Sequence, residues 1–168
     1  MALYGSLIAT PSLATSNSYA TVGEADDVMG AHLYSTDWDG SANQAEALMY
    51  ATRILDQMYI WKGDQADTDT QRLAWPRTSV FTVEGVEVTT TTIPQFLKEA
   101  TAELALLLIQ KDLTKEPTRG FRRVKTGPVE VEFDPHNATR TMPRYIQQML
   151  APYGMARDSS GTLSVARV

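Results

Sequence analysis

The chain has 168 residues, 43% of them apolar and 21% charged, enough for one domain with a real core and short for two. It contains no cysteine, which excludes a disulfide framework, a thiolate metal site and a cysteine nucleophile, and fits a reducing compartment. No apolar run approaches the roughly 18 residues of a membrane span. Met1 to Thr10 has neither a basic start nor an apolar stretch of signal-peptide type, so the expectation is a soluble chain with no membrane partner.

The net charge of −5 is unevenly placed. Residues 1–92 carry 12 acidic and 4 basic side chains, whereas residues 93–168 carry 8 acidic and 11 basic. The excess centres on Lys111, Lys115, Arg119, Arg122, Arg123 and Lys125. Such polarity suits a subunit stacking unlike faces on its neighbours or a protein facing nucleic acid; a solvated surface has the same signature.

In chain order, residues 1–20 form an extended arm within an uncharged stretch that runs to Gly23, small and hydroxyl-rich. A disordered tail is usually more charged than this, so the arm is read as lying on a partner or across its own domain. Thr21 and Glu24 form a capping box for a helix to about Leu33, with Val22, Ala25, Val28, Met29 and Leu33 as its buried stripe. His32 reads as a surface residue near the end of that helix. Tyr34 to Gly40 reads as a loop around Trp38. Ser41 and Gln44 make a second capping box for a helix to about Met58, buried along Ala45, Leu48, Thr52, Leu55 and Tyr59. Two capped helices joined by a short loop read as an αα-hairpin.

The acidic residues 64–69 lack the central glycine and terminal glutamate of an EF-hand and read as an exposed loop. About residues 80–89, Phe81, Val83, Val86 and Val88 alternate around Glu84-Gly85, the pattern of a short β-hairpin or tongue. The element around which the rest is organised is Ile93 to Leu113. Pro94 starts it, Thr92 and Gln95 have the capping-box spacing, and Leu97, Ala100, Leu104 and Leu107 or Leu108 repeat at helical period. From Leu104 to Ile109 six consecutive apolar residues cover the whole circumference, which predicts burial on all sides. Leu104 and Leu108 are expected to pack within the chain, and Leu106 and Ile109 against a neighbour.

About residues 121–133, two strand-like runs flank Thr126-Gly127-Pro128, either as a hairpin or as one long arm. Pro143 starts a short helix to Leu150 with Tyr145, Ile146 and Met149 available for packing. The organisation expected is an arm (1–20), a helical domain (21–153) and an extended tail (154–168) in which Leu163 and Val165 alternate. The fold class is mainly α: about four helices around a central long one, with a short β-hairpin and extended β arms.

No nucleotide-binding glycine loop, nucleophile elbow or HExxH motif is present, so neither an enzyme nor a cofactor or metal site is expected. Arg119, Phe121, Arg122, Arg123 and Lys125 combine phosphate-binding charge with one aromatic that can stack on a base. They are the candidate partner or nucleic-acid contact. Leu106, Ile109, Val129, Val131, Phe133, Leu163 and Val165 are the candidate subunit interface.

One resemblance adds to this. Ser18-Tyr19-Ala20-Thr21 with Glu24-Ala25-Asp26, Ala51-Thr52-Arg53 through Leu55-Asp56-Gln57, Trp61-Lys62-Gly63, Leu73-Ala74-Trp75-Pro76-Arg77, Ile93-Pro94 and Gly127-Pro128-Val129-Glu130-Val131 occur in this order. From about Tyr19 to Tyr153 the chain resembles a family of small tailed-bacteriophage proteins. That family is identified both as head–tail connectors (adaptor or head-completion proteins) and as DnaT-like single-strand-DNA-binding proteins. The connector side implies a structural virion protein, assembled in the host cytoplasm and placed in the neck. Typically twelve copies form a ring between the portal protein and a tail or stopper protein, around a channel for double-stranded DNA bound without sequence specificity. The alternative it implies is a DnaT-like replication protein that binds single-stranded DNA. The connector is the preferred expectation, because several extended segments have no obvious place in a four-helix domain.

Overall fold

The computed structural model describes residues 5–113, 123–126, 129–132 and 142–157. The fold is mainly helical. α1 (Val22–Gly30), α2 (Thr36–Asp39), α3 (Gln44–Met58), α4 (Gln95–Gln110) and α5 (Arg144–Leu150) are joined by three two-stranded antiparallel pairs. β1 (Tyr59–Trp61) pairs with β6 (Gly154–Ala156), β2 (Asp64–Gln65) with β3 (Arg77–Thr78), and β4 (Arg123–Thr126) with β5 (Val129–Glu132).

α4 is the centre, with α1, α2, α3 and α5 all packed on it. Its buried face is Leu97, Ala100, Thr101, Ala102, Leu104, Ala105 and Leu106, wider than one stripe because neighbours cover it from several sides. Each such leucine contributes about 2 kcal/mol by leaving water. Thr101 is tolerated there because its hydroxyl donates back to the Leu97 carbonyl at 2.7 Å. Full enclosure stops at Leu106. Leu107, Leu108 and Ile109 are half-buried, so the predicted all-round burial of the last turn is corrected to an open flank. The start differs too. Pro94 is the N-cap, extended at ψ 148°, with no side-chain cap, and Gln95 donates instead to Glu99 at 3.1 Å. With Pro94 as N-cap, Gln95 is the first helical residue rather than the third, so Thr92 lies outside the helix and the box cannot form.

The first capping box forms as expected: the Glu24 N–H donates to the Thr21 hydroxyl at 3.2 Å and the Thr21 N–H to Glu24 Oε2 at 2.8 Å. Lys98 of α4 pairs with the same Glu24 carboxylate and ties α1 to α4. Burial pushes that carboxyl up, but Lys98 and the Thr21 bonds outweigh it and hold it below its ordinary value. α1 ends at Gly30, earlier than its apolar spacing predicted, and Leu33 is left 83% exposed. The expected loop around Trp38 is the short helix α2. Its indole is fully buried and donates to Asp26 Oδ1 at 2.8 Å. That burial decides the segment, since no local signal outweighs an apolar ring seeking the core. The second capping box does not form: α3 starts two residues late with Asn43 as N-cap, and the Gln44 amide donates to the Trp38 carbonyl at 2.9 Å instead. With α2 inserted between them, α1 and α3 still touch each other, but both pack mainly on α4, so the predicted αα-hairpin is loosened.

The N-terminal arm lies across its own domain. Asn17 closes a loop by accepting from the Ile8 N–H at 2.7 Å and donating to the Ser6 carbonyl at 2.8 Å. Residues 16–20 are buried, and the Tyr19 N–H donates to Thr52 Oγ1 of α3 at 3.1 Å. A chain of rings runs Tyr59, Trp61, Trp75, Phe96, Tyr153, stacked at its two ends and edge-on at the two contacts between. Trp61 and Trp75 come from the two tryptophan segments that carry the resemblance, and packing accounts for both. Gly63, at φ +66°, sits where a Cβ would meet the Thr78 carbonyl at 2.0 Å, so the β2–β3 crossing admits only glycine.

Candidate functional site

Two carboxylates on the helices receive a tyrosine hydroxyl, and they differ in access. Asp56, on α3, accepts from the Tyr19 hydroxyl at one oxygen and from the Ala74 N–H at 3.2 Å at the other. Burial pushes the Asp56 carboxyl above the ordinary aspartate value, with Tyr19, the Ala74 N–H and the Arg77 charge opposing it. Burial, reinforced by Asp56, raises the Tyr19 phenol well above its usual value. Arg77 donates to the Ala74 carbonyl at 3.0 Å and the Lys62 carbonyl at 2.7 Å. This closed cluster clips the arm, α3 and the 72–78 segment together. Its chemistry is structural, because every group in it already has a partner within the chain.

Glu103, on α4, is the open counterpart. The Tyr145 hydroxyl of α5 donates to Glu103 Oε2 at 3.3 Å, and His32 Nε2 lies 3.4 Å from the same oxygen. The His32 ring is oriented by the Tyr34 N–H, which donates to Nδ1 at 3.1 Å. Gln110 donates to Asp37 Oδ2 at 2.8 Å at the far end. These side chains border an open groove of about 570 Å³ whose apolar wall is Leu33, Leu106 and Leu107. Burial, with Glu103 beside it, pushes the Tyr145 phenol up to about 12. No group of three or more metal-ligating side chains is assembled among the described residues.

The tongue forms. Val88 donates to the Val80 carbonyl at 2.8 Å and Thr82 to the Val86 carbonyl at 2.8 Å, around Gly85 at φ 78°. Val80 and Val88 are buried at its base, whereas Phe81, Val83 and Val86 are 53%, 80% and 63% exposed. Among the described residues nothing covers these three side chains.

Of the candidate contact residues, Arg123 and Lys125 are on β4, while Arg119, Phe121 and Arg122 lie outside the described residues. β4 and β5 pair as a hairpin, resolving the alternative left open by the sequence, with Arg123 opposite Glu132 and Lys125 opposite Glu130. Val131 is opposite Val124 and Val129 opposite Thr126. Of the candidate interface residues, Leu106 is 2% exposed and is covered by the chain's own helices, which corrects its assignment to a neighbour. Ile109 is half-buried beside Tyr50 and Leu108 in a smaller depression of about 300 Å³. Phe133, Leu163 and Val165 lie outside the described residues, as does most of the 154–168 tail; Gly154–Ala156 of that tail is β6, paired within the chain. The Glu103 groove was not visible in the sequence, because its members come from four separate segments. The only local hint was that an apolar Leu33 follows the end of a short capped helix.

A family model described as "Putative DnaT-like ssDNA binding protein" matches residues 8–168. The chain belongs to this DnaT-like family. No curated protein and no solved structure matches it. The DnaT-like description favours the second of the two implications of the resemblance, single-stranded-DNA binding, over the preferred connector. It also spans both the N-terminal arm from Ile8 and the tail after Gly154, which the resemblance had left outside.

Proposed function

We propose that this DnaT-like protein binds single-stranded DNA without catalysing a reaction on it, through the basic segment Arg119 to Lys125. The family match carries this reading, since it covers that segment together with the whole helical body. Arg119, Arg122, Arg123 and Lys125 supply phosphate-neutralising charge and Phe121 a ring for base stacking. Residues 5–113 with 142–157 carry 15 acidic and 8 basic side chains, so the strand would be kept off the helical body. The register sets two of the cations opposite glutamates, which offsets part of their field. The expected binding is therefore modest and salt-dependent. With about three phosphates neutralised, log K falls against log salt with a slope of about −2. Anisotropy titration of a labelled oligothymidylate tests this. The Arg122→Ala/Arg123→Ala double variant should bind about tenfold more weakly and show a shallower slope. Absence of salt-dependent binding in the wild type would sink the reading.

A second reading is favoured by the tongue, whose Phe81, Val83 and Val86 present apolar surface outward. A structural ring subunit between a portal and a tail protein would have a use for it as a docking element. Electron microscopy of the protein mixed with portal complexes tests this; rings stacked on the portal support it, and a field of unbound particles counts against it.

A further inference from the structure

We infer that the C-terminal segment 162–165 is a third strand of the β1–β6 sheet, laid antiparallel along the free edge of β6 in the same chain. This inference is independent of either reading of function. The register fixes which edge is open. The Lys62 N–H donates to the Tyr153 carbonyl at 3.0 Å and the Arg157 N–H to the Met58 carbonyl at 2.6 Å, on either side of the Ile60–Met155 pair. Bonded and non-bonded pairs alternate along an antiparallel ladder, so Met155 turns its backbone toward β1, while Gly154 and Ala156 turn theirs away. Among the described residues no hydrogen bond reaches those outward groups. Gly154 is buried, and a buried N–H needs an acceptor.

The side chains mark the same place. Ile60 and Met155 stand directly opposite each other, 45% and 56% exposed, as an apolar pair on one face of the sheet. The chain leaves β6 at Ala156 and continues with a turn-forming Asp158-Ser159-Ser160-Gly161, after which Leu163 and Val165 alternate with Thr162 and Ser164. A loop over residues 157–161 sets Thr162 opposite Ala156, Leu163 opposite Met155 and Ser164 opposite Gly154. Opposite residues share a face, so Leu163 extends the Ile60–Met155 row, while Thr162 and Ser164 meet the outward backbone of Ala156 and Gly154. The chain's own segment is favoured over a strand from elsewhere, because so short a loop holds it beside the edge at an effective concentration on the order of millimolar. The family match also runs to residue 168, so the segment is part of the matched unit. Docking there closes an edge that would otherwise template pairing with other chains.

Amide hydrogen exchange followed by NMR on the full chain is the test. Relative to their intrinsic rates, Thr162 and Ser164 should exchange about 100-fold more slowly than Leu163 and Val165, whose N–H groups point away from β6. The pattern should be the same at roughly 20 and roughly 500 μM protein, as an intrachain contact requires. Met155→Asp removes the apolar partner at an exposed position and should bring Thr162 and Ser164 to the rate of Leu163, with the Leu55 and Leu104 amides unchanged as the check on folding. Should those core amides also speed up, Ser164→Pro, which deletes one bonded N–H outside the helical body, is read in its place through Thr162. Fast exchange throughout 162–165 overturns the inference. So does protection of Leu163 and Val165 instead, which means the register shifted by one residue, or protection that grows with concentration, which means pairing with another copy. Protection of Thr162 that survives both substitutions overturns it as well.

Discussion

Asp56 with Tyr19 and Glu103 with Tyr145 are the same pair of functional groups in two settings. The first is enclosed: Tyr19 is fully buried, and the pair closes the N-terminal arm onto α3. The second is open, with Tyr145 at 45% exposure over a groove. Burial raises both phenols, but only at Asp56 does losing a partner strand buried polar atoms. The enclosed pair is therefore a structural clip and the open one belongs to a surface still able to accept a partner.

That contrast can be broken by mutation. Asp56→Ala should cost the most, about 3 kcal/mol in urea unfolding, because it orphans the Tyr19 hydroxyl and the Ala74 N–H together. It should also expose the arm to limited proteolysis near residues 12–17. Tyr19→Phe removes one donor and keeps the ring, so roughly 1.5 kcal/mol is expected by the same measurement. Glu103→Gln should cost less than about 0.5 kcal/mol, since water reaches His32 and Tyr145. A loss as large as that of Asp56→Ala would abolish the distinction. The smallest effect is alkaline. Because the Tyr145 phenol is raised to about 12, the folded chain holds a proton that an unfolded tyrosine releases near 10.0. Its contribution is thus complete below pH 10 and lost as pH rises toward 12. Tyr145→Phe should flatten part of the stability decline in that window while leaving neutral pH nearly unchanged.

The helices were legible where their reasons are local. The Thr21–Glu24 capping box formed, and the spacing in α3 and α4 marked Leu48, Leu55, Leu97 and Leu104 as core. The clearest miss is Leu33, assigned to a buried stripe yet 83% exposed. Periodicity reports which side chains share a face; it does not report whether anything lies opposite that face. Leu106 shows the converse, since a surface that looked surplus to one domain is covered by the chain's own helices. The basic segment was visible as composition, but the pairing of Arg123 with Glu132 and Lys125 with Glu130 needed the strand register. The groove was not legible at all, because His32, Asp37, Glu103 and Tyr145 are brought together only when α1, α2, α4 and α5 pack.

By itself the sequence determined a mainly helical domain centred on residues 93–113, the charge polarity and the likeness to the DnaT-like family. These follow from hydrophobic period, capping chemistry and motif order, all of which act over a few residues. The tertiary structure alone decided that the arm folds back over Asp56, that Trp38 makes a helix of a loop, and that the tongue faces outward. Each of these depends on which surfaces meet across long sequence separations, and no local interaction encodes that.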